Sequence, residues 1–336
     1  MTQVDFDPAA LKRFLVSQFG EGPTLLERVA GGQSNPTYFV SHGNRQMVLR
    51  KQPTGPILRG AHAVDREFRV LEALHPTGVP VPRPIIFHED PDLVGTPFYL
   101  MERVEGRVFP DGALAGARSS ERHALWMALA EALGAMHRIR PDDIGLEDFG
   151  RPGNYFARQI ARWSRQWEQS PHPPIPELDQ LVAWLALHQP EDDGCIGIAH
   201  GDFRMGNVIF HPTEPKVVAI LDWELSTLGH PMADLGYCCL AWHTSPDEYG
   251  GLLGLDLGAL ALPSEAEFVD RYVIANPDAV PLTVFHRVFA LFRFAVIWVG
   301  IADRVRTGTA AGSDAPIHAG MAARLARRGV ALIERS

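Results

Sequence analysis

Cysteine is scarce in this chain. Cys195, Cys238 and Cys239 are too few and too irregularly spaced for a disulfide framework, and no CxxC pair is present to anchor a structural zinc. Positive charge is also in deficit. Lys plus Arg number 31 against 40 Asp plus Glu, a net −9 over 336 residues, which argues against a broadly basic nucleic-acid binder. Long hydrophobic runs are missing too. The most apolar stretch, 288–302, is interrupted by Arg293 and is too short to cross a bilayer, so it reads as a buried helix. The opening residues MTQVDFDPAALKRF have no basic segment leading into an apolar run, so neither a secretory leader nor a membrane is expected, and the expected location is cytoplasmic. No internal repeat or low-complexity tract occurs. What is present is an ordinary globular balance, 46% hydrophobic and 21% charged, with 31 Gly and 27 Pro to make many defined turns. The length suits two domains, or two lobes.

The texture of the chain changes near residue 104. Asp7-Pro8 reads as an N-cap and first helical position, followed by a helical face of Leu11, Phe14, Leu15 and Phe19. Short runs at 25–29, 37–41 and 46–50, separated by Gly-Gly and by His42-Gly43-Asn44, predict antiparallel strands. Val64, Phe68, Leu71 and Leu74 mark a helix, and further strands are expected near 84–88 and 97–103. Beyond Glu105-Gly106, helices are expected at 119–138, 154–168 and 177–188, an extended region at 196–222, and a helical tail. Ser264…Glu267 is a capping box within that tail. The pattern predicts an α+β fold in two parts, 1–104 and 105–336.

The chemistry concentrates in His200-Gly-Asp-Phe-Arg-Met-Gly-Asn207 and the following Asp222-Trp223-Glu224. Val208–Phe210 and Val217–Leu221 are apolar runs around a Pro212…Pro215 turn. Folding them as a hairpin brings Asn207 beside Ile220–Asp222, since opposed strand positions have Cβ atoms about 5 Å apart. An amide oxygen and a carboxylate are hard ligands suited to Mg²⁺ carried on a phosphate substrate. Asp202, in the loop leading into the hairpin, is placed to accept the proton of an acceptor hydroxyl. Arg204 is placed to offset charge on a moving phosphoryl group. A lone loop aspartate is commonly a turn residue. The joint pattern HGDxxxxN with a hairpin ending in Asp is far harder to reach by chance. His200 and Asp234 read as braces for this loop, and Cys238 and Cys239, following Tyr237, read as core.

From about Leu25 to Leu240 the chain resembles the aminoglycoside phosphotransferase family, which has a protein-kinase-like fold. HGDFRMGN has the spacing of the kinase loop HRDLxxxN, and Gly229-His-Pro-Met-Ala-Asp234 resembles the family segment GDPxxD. The resemblance implies a bilobal fold, with a small antiparallel-sheet lobe that binds ATP and a larger, mainly helical lobe that holds the catalytic loop and the acceptor. It implies that the Gly31-Gly32-Gln33-Ser34-Asn35 turn cradles the ATP phosphates, with Gly32, Ser34 and Asn35 as the contacts. It places the phosphate-binding cation at Arg50, paired with Glu67. Strand alternation points Arg50 and Lys51 to opposite faces, and alignment with the motif selects Arg50. Backbone groups near Glu102 and Val104 would hold adenine. Two positions depart from the family: Arg50 stands where Lys is frequent, and His230 stands where the GDPxxD segment has Asp.

The segments GGQSNPTY, AHAVDREFRVLEAL, GTPFYLMERVEGRVF and LDWELSTLGHPMADLGY further resemble the kinase-like domain fused to certain acyl-CoA dehydrogenases. That resemblance implies a hydroxyacyl-CoA as acceptor. The tail 301–336, with six Arg against three acids, would favour an anion of that kind if it lay near the acceptor cleft, the alternative being a solvated helix face. An aminoglycoside acceptor is the alternative, and a catalytically inactive nucleotide-binding module is the alternative of another class. A protein kinase is disfavoured, since there is no GxGxxG loop and no DFG…APE segment.

Overall fold

The computed structural model describes residues 4–29, 35–55, 62–306 and 320–336. It divides into two compact units, Met1–Arg107 with Val218–Ser226, and Val108–Val217 with Thr227–Ser336. The single crossing near 104 read from composition is therefore joined by a second excursion, in which 218–226 returns to the first unit.

In the first unit, α1 (Pro8–Phe19) begins where expected, with the Asp7 carboxylate accepting the Ala9 and Ala10 N–H groups at 2.9 and 3.2 Å. The strands β1 (Thr24–Arg28), β2 (Thr37–His42), β3 (Arg45–Lys51), β4 (Pro84–His88) and β5 (Phe98–Glu102) form one antiparallel sheet in the order β1-β2-β3-β5-β4. Tyr38 and Val40 of β2, Met47 and Leu49 of β3, and Phe98 and Leu100 of β5 pack with Leu11 and Leu15 of α1 into one core. The alternate residues of β3 face the other way. Strand periodicity thus separates Arg50 from Lys51. The Lys51 ammonium is fully buried, 3.1 Å from Asp5 Oδ2, while Arg50 meets α2 (Val64–Leu74). Val64, Glu67, Val70, Leu71 and Leu74 form the buried face of α2.

The second unit holds α3 (Ser119–His137), α4 (Tyr155–Glu168), α5 (Pro176–Leu187), α6 (Pro231–Cys238), α7 (Glu265–Ala275), α8 (Val284–Arg306) and α9 (Met321–Ile333). The expected capping box opens α7, with Ser264 Oγ accepting the Glu267 N–H at 3.3 Å and Glu267 Oε2 accepting the Ser264 N–H at 2.8 Å. Strands β6 (Gly197–Ala199) and β9 (Thr227–Gly229) pair antiparallel, with Ala199, at the start of the 200–207 loop, opposite Thr227 and Gly197 opposite Gly229, which precedes α6. Strand β7 (Val208–Phe210) precedes the Pro212…Pro215 turn, where the His211 N–H donates to the Lys216 carbonyl at 2.8 Å; β8 (Val217–Ile220) follows it and from Val218 is counted with the first unit.

Helix α8 corrects one expectation. The apolar stretch at 288–302 lies inside a helix of 23 residues, long and apolar enough to span a bilayer by length and composition alone. Its apolar window is 72% buried within the protein, as befits a core helix.

Candidate functional site

In the first unit, charged and polar groups converge on Glu67. Arg50 Nε lies 2.7 Å from Glu67 Oε2, the Tyr99 hydroxyl donates to the same oxygen at 2.9 Å, and Asn35 Nδ2 donates to Oε1 at 2.6 Å. Glu67 is 1% exposed, and burial raises its carboxyl above the ordinary value while Arg50, Tyr99 and Asn35 offset part of that cost. Arg50 reaches further, with Nη2 donating to Asp222 Oδ1 at 2.7 Å and lying 3.7 Å from Glu224 Oε2. Burial would lower the guanidinium pKa, but Glu67, Tyr99, Asp222 and Glu224 more than offset it, so Arg50 stays charged. The expected Arg50–Glu67 pair is therefore present as geometry. Lys51 is committed to Asp5 on the opposite face.

Asp222 closes this constellation from the turn that follows β8, two residues after Ile220. Its φ of 65° is left-handed, an uncommon conformation for a residue with a side chain and one that concentrates at functional sites. Asn35 does not stand open as a phosphate donor. Its amide is buried between Glu67 and His62 Nδ1, so it positions Glu67. Gly32 and Ser34 lie outside the described residues. At the end of β5 the Glu102 N–H donates to the Arg83 carbonyl at 2.9 Å and the Arg103 N–H to the Gln46 carbonyl at 3.2 Å. The Val104 backbone has no hydrogen-bond partner among the described residues.

In the second unit, the loop 200–207 is held from below and from the side. Asp234, fully buried near the start of α6, accepts the His200 N–H on Oδ2 at 2.6 Å and the Gly201 N–H on Oδ1 at 2.9 Å. His137 Nε2 approaches Oδ2 at 3.4 Å, and its Nδ1 accepts from the Tyr272 hydroxyl at 2.8 Å. Burial would raise the Asp234 carboxyl, but the hydrogen bond from His137, the adjoining His137 and His200 rings and the Gly201 N–H hold it below its ordinary value. Gly201 sits at φ 86°, a left-handed turn that glycine adopts without a Cβ penalty. His200 is fully buried and its Nδ1 accepts the Asp202 N–H at 3.2 Å, which fits a brace. His230 also has a local explanation. It N-caps α6, with Nδ1 accepting the Met232 N–H at 3.2 Å, while Nε2 donates to Asp193 Oδ2 at 3.2 Å. A ring nitrogen here does what a carboxylate oxygen does at an N-cap.

The Asp202 carboxylate is fixed on both oxygens. The Tyr237 hydroxyl donates to Oδ1 at 2.7 Å, and Asn207 Nδ2 donates to Oδ2 at 2.7 Å. Arg204 Nε lies 3.5 Å from Oδ1, with its guanidinium 5.2 Å from the centre of the Tyr249 ring. Each carboxylate oxygen can accept two hydrogen bonds, so capacity remains for a substrate donor.

Three features were not read from the sequence. Arg293, the charge interrupting the apolar stretch, is 6% exposed and donates to the Gly201 carbonyl at 2.5 Å. A charge inside an apolar helix must find a partner, and that was the available signal. Tyr237, read as part of an apolar stretch, touches Asp202. Part of the basic tail is neutralised: Arg324 and Arg328 pair with Glu248 at 3.1 and 2.9 Å, Arg324 also with Asp247, and Arg306 with Asp303, while Arg327 and Arg335 are exposed.

In the second unit, Asn207 spends its Nδ2 on Asp202, leaving its Oδ1 without a hydrogen bond among the described residues. In the first unit, Asp222 spends Oδ1 on Arg50, leaving Oδ2. Each is a hard oxygen of the kind that suits Mg²⁺ carried on a phosphate substrate. No group of three or more His, Cys, Asp or Glu among the described residues could hold a metal unaided. Mg²⁺ typically needs only one or two carboxylates beside its phosphates. A cavity of about 60 Å³ adjoins the 200–207 loop, lined by Arg204, Tyr237, Tyr249, Trp126, Phe294 and Thr244 among others, and none of its lining residues is acidic.

A five-stranded antiparallel sheet with a Glu–Arg pair to its helix, and a braced HGDxxxxN loop in a helical unit, belong to the kinase-like class of phosphotransferase folds. The chain belongs to the phosphotransferase enzyme family, whose model matches residues 26–274. A crystal structure from Ralstonia eutropha, described provisionally as an aminoglycoside phosphotransferase, is similar at 40% identity and a TM-score of 0.88, over 98% of this chain and 99% of that one. A thermostable mutant of an aminoglycoside phosphotransferase, in ternary complex with AMP-PNP and hygromycin B, shares the fold at 15% identity and a TM-score of 0.62, over 95% and 98% of the two chains. Among curated proteins, acyl-CoA dehydrogenase family member 11 of Gallus gallus is 38% identical over 98% of this chain and 44% of its own length. The chain spans less than half the length of the curated relatives it matches.

Proposed function

We propose that this protein is an ATP- and Mg²⁺-dependent phosphotransferase that moves the γ-phosphate of ATP to a hydroxyl of a small molecule, with a hydroxyacyl-CoA as acceptor. The observation that carries the reaction type is the Asp202 carboxylate, aimed by donors on both oxygens and still able to accept a proton. In the reaction, the acceptor oxygen forms a bond to Pγ, the bond from Pγ to the ADP oxygen breaks, and the hydroxyl proton passes to Asp202. Arg204 offsets charge on the transferring group. Arg50, held by Glu67, is the cation for the nucleotide phosphates, the backbone of Glu102 and Val104 is the adenine contact, and Gly32 and Ser34 belong to the phosphate loop. Asn207 and Asp222 are the proposed Mg²⁺ ligands, and the ion would neutralise charge on the phosphates. The nucleotide is assigned to the first lobe, 1–104, and the acceptor to the second, 105–336.

The acceptor class rests on two supports. Curated relatives carry acyl-CoA dehydrogenase in their names. The cavity beside Arg204 is aromatic with one cation and no acid, a poor match for the polycationic aminoglycosides. The description of the Ralstonia structure favours the aminoglycoside reading. An ADP-release assay with Mg-ATP separates the two, running 4-hydroxyacyl-CoA, free hydroxy acids and kanamycin side by side, with Asp202→Asn as the blank. Release with the thioester alone supports the proposal, and release with kanamycin alone replaces the acceptor. ATP binding with no release above the blank for any acceptor points to the inactive nucleotide-binding module.

A further inference from the structure

We propose that Tyr237 is a positioning residue for phosphoryl transfer, setting the orientation of the Asp202 carboxylate. The inference rests on the reading of Asp202 as the base. Tyr237 lies three residues after Asp234 on α6, and positions three apart share one helix face. That face holds the catalytic loop twice: Asp234 takes the backbone N–H groups of His200 and Gly201, and Tyr237 takes the side chain of Asp202.

The phenol can only donate in this place. Tyr237 is buried, and burial together with the neighbouring Asp202 carboxylate and Tyr249 pushes its hydroxyl well above the ordinary tyrosine value. It stays protonated throughout the working range. Its ring is fixed by an edge contact to Phe294, centroids 5.6 Å apart at 89°, and by the Arg293 guanidinium 5.8 Å from its centre. A rigid aromatic with two torsions presents its hydroxyl at one point.

Two donors on different oxygens fix the rotation of a carboxylate, and one donor does not. Asn207 alone would leave Asp202 free to turn about Oδ2. Arg204, already 3.5 Å from Oδ1, would then draw that oxygen towards its own charge and away from the acceptor. Tyr237 supplies a neutral donor at 2.7 Å that satisfies Oδ1 without neutralising the base. The consequence falls on the chemical step, since Tyr237 is not among the groups assigned to the nucleotide.

The test is a cycle of wild type, Tyr237→Phe, Asp202→Asn and the double variant. The readout is ADP release from Mg-ATP, measured both with the acceptor panel above and with water as the only acceptor. Tyr237→Phe keeps the ring and its packing, so its thermal midpoint checks folding. The expected result is a loss of about tenfold in kcat with the ATP KM unchanged within about twofold. In the Asp202→Asn background the same change is expected to have no further effect, because what it positions is gone. Wild-type kcat in Tyr237→Phe overturns the proposal, as does an equal loss in both backgrounds, which would mean that Tyr237 acts elsewhere. Wild-type turnover in Asp202→Asn instead removes the base reading itself, an outcome seen in a different variant.

Discussion

Asp234 Oδ1 accepts the Gly201 N–H at 2.9 Å, from 33 positions further along the chain. The same carboxylate takes the His200 N–H, so one buried anion holds the turn that presents Asp202. Asp234→Asn puts an NH₂ group where an acceptor is required, leaving one backbone donor facing another. A loss of about 2–3 kcal/mol in unfolding free energy is expected, the cost of an unsatisfied buried group near a charge. Chemical denaturation at neutral pH checks it, and an unchanged midpoint would contradict the bracing role.

Arg50 spans Glu67 and Asp222 with separate nitrogens, at 2.7 Å each. An ammonium is a point charge and cannot reproduce that fork. Arg50→Lys is expected to weaken AMP-PNP binding about tenfold while keeping the fold, whereas Arg50→Ala strands a buried Glu67 and costs about 3–5 kcal/mol. Calorimetric titration and thermal melts distinguish the two. Equal nucleotide affinity in Arg50→Lys would argue against the proposed phosphate contact.

Asp222→Ala is expected to abolish the Mg²⁺-dependence of nucleotide binding. Titration of AMP-PNP with and without Mg²⁺ provides the check. An unchanged dependence would take Asp222 out of the metal site.

His286 gives the protein a pH-dependent stability. Burial first, and then the neighbouring His230 ring and the Arg287 charge, push its imidazole from 6.5 down to about 3. Above pH 6.5 the ring is neutral in folded and unfolded chains alike. As the pH falls through 6.5 the unfolded chain takes up a proton that the folded chain refuses until about pH 3, so stability is lost across that window. The slope for this one group is about 1.4 kcal/mol per pH unit. His286→Asn retains an acceptor for the Thr283 N–H and should flatten the urea midpoint between pH 7 and 5 relative to wild type. Parallel pH profiles would contradict the assignment.

What could be read in advance was local. The Asp7 N-cap, the Ser264 capping box and the HGDxxxxN spacing are short-range patterns whose geometry is set within a few residues. What escaped depends on partners distant in the chain. Arg50 meets Asp222 across 172 positions and Arg293 meets Gly201 across 92, and neither separation leaves a periodicity. The arginines of the tail read as a basic surface because counting charge within a segment cannot see Asp247 and Glu248, which neutralise Arg324 and Arg328 from elsewhere. Tyr237 hid in an apolar stretch because a tyrosine buried for its ring and one buried for its hydroxyl look alike in sequence.

The central claim is that Asp202 accepts the acceptor proton in a phosphoryl transfer. It is tested most directly by comparing wild type with Asp202→Asn in two measurements on the same preparations, AMP-PNP affinity and the single-turnover rate of phosphate-ester formation followed by phosphorus NMR. The account predicts nucleotide affinity unchanged within about threefold and a rate lower by about 10²–10⁴-fold, the range for a positioned base. Asp202→Asn forming the ester at the wild-type rate would contradict it.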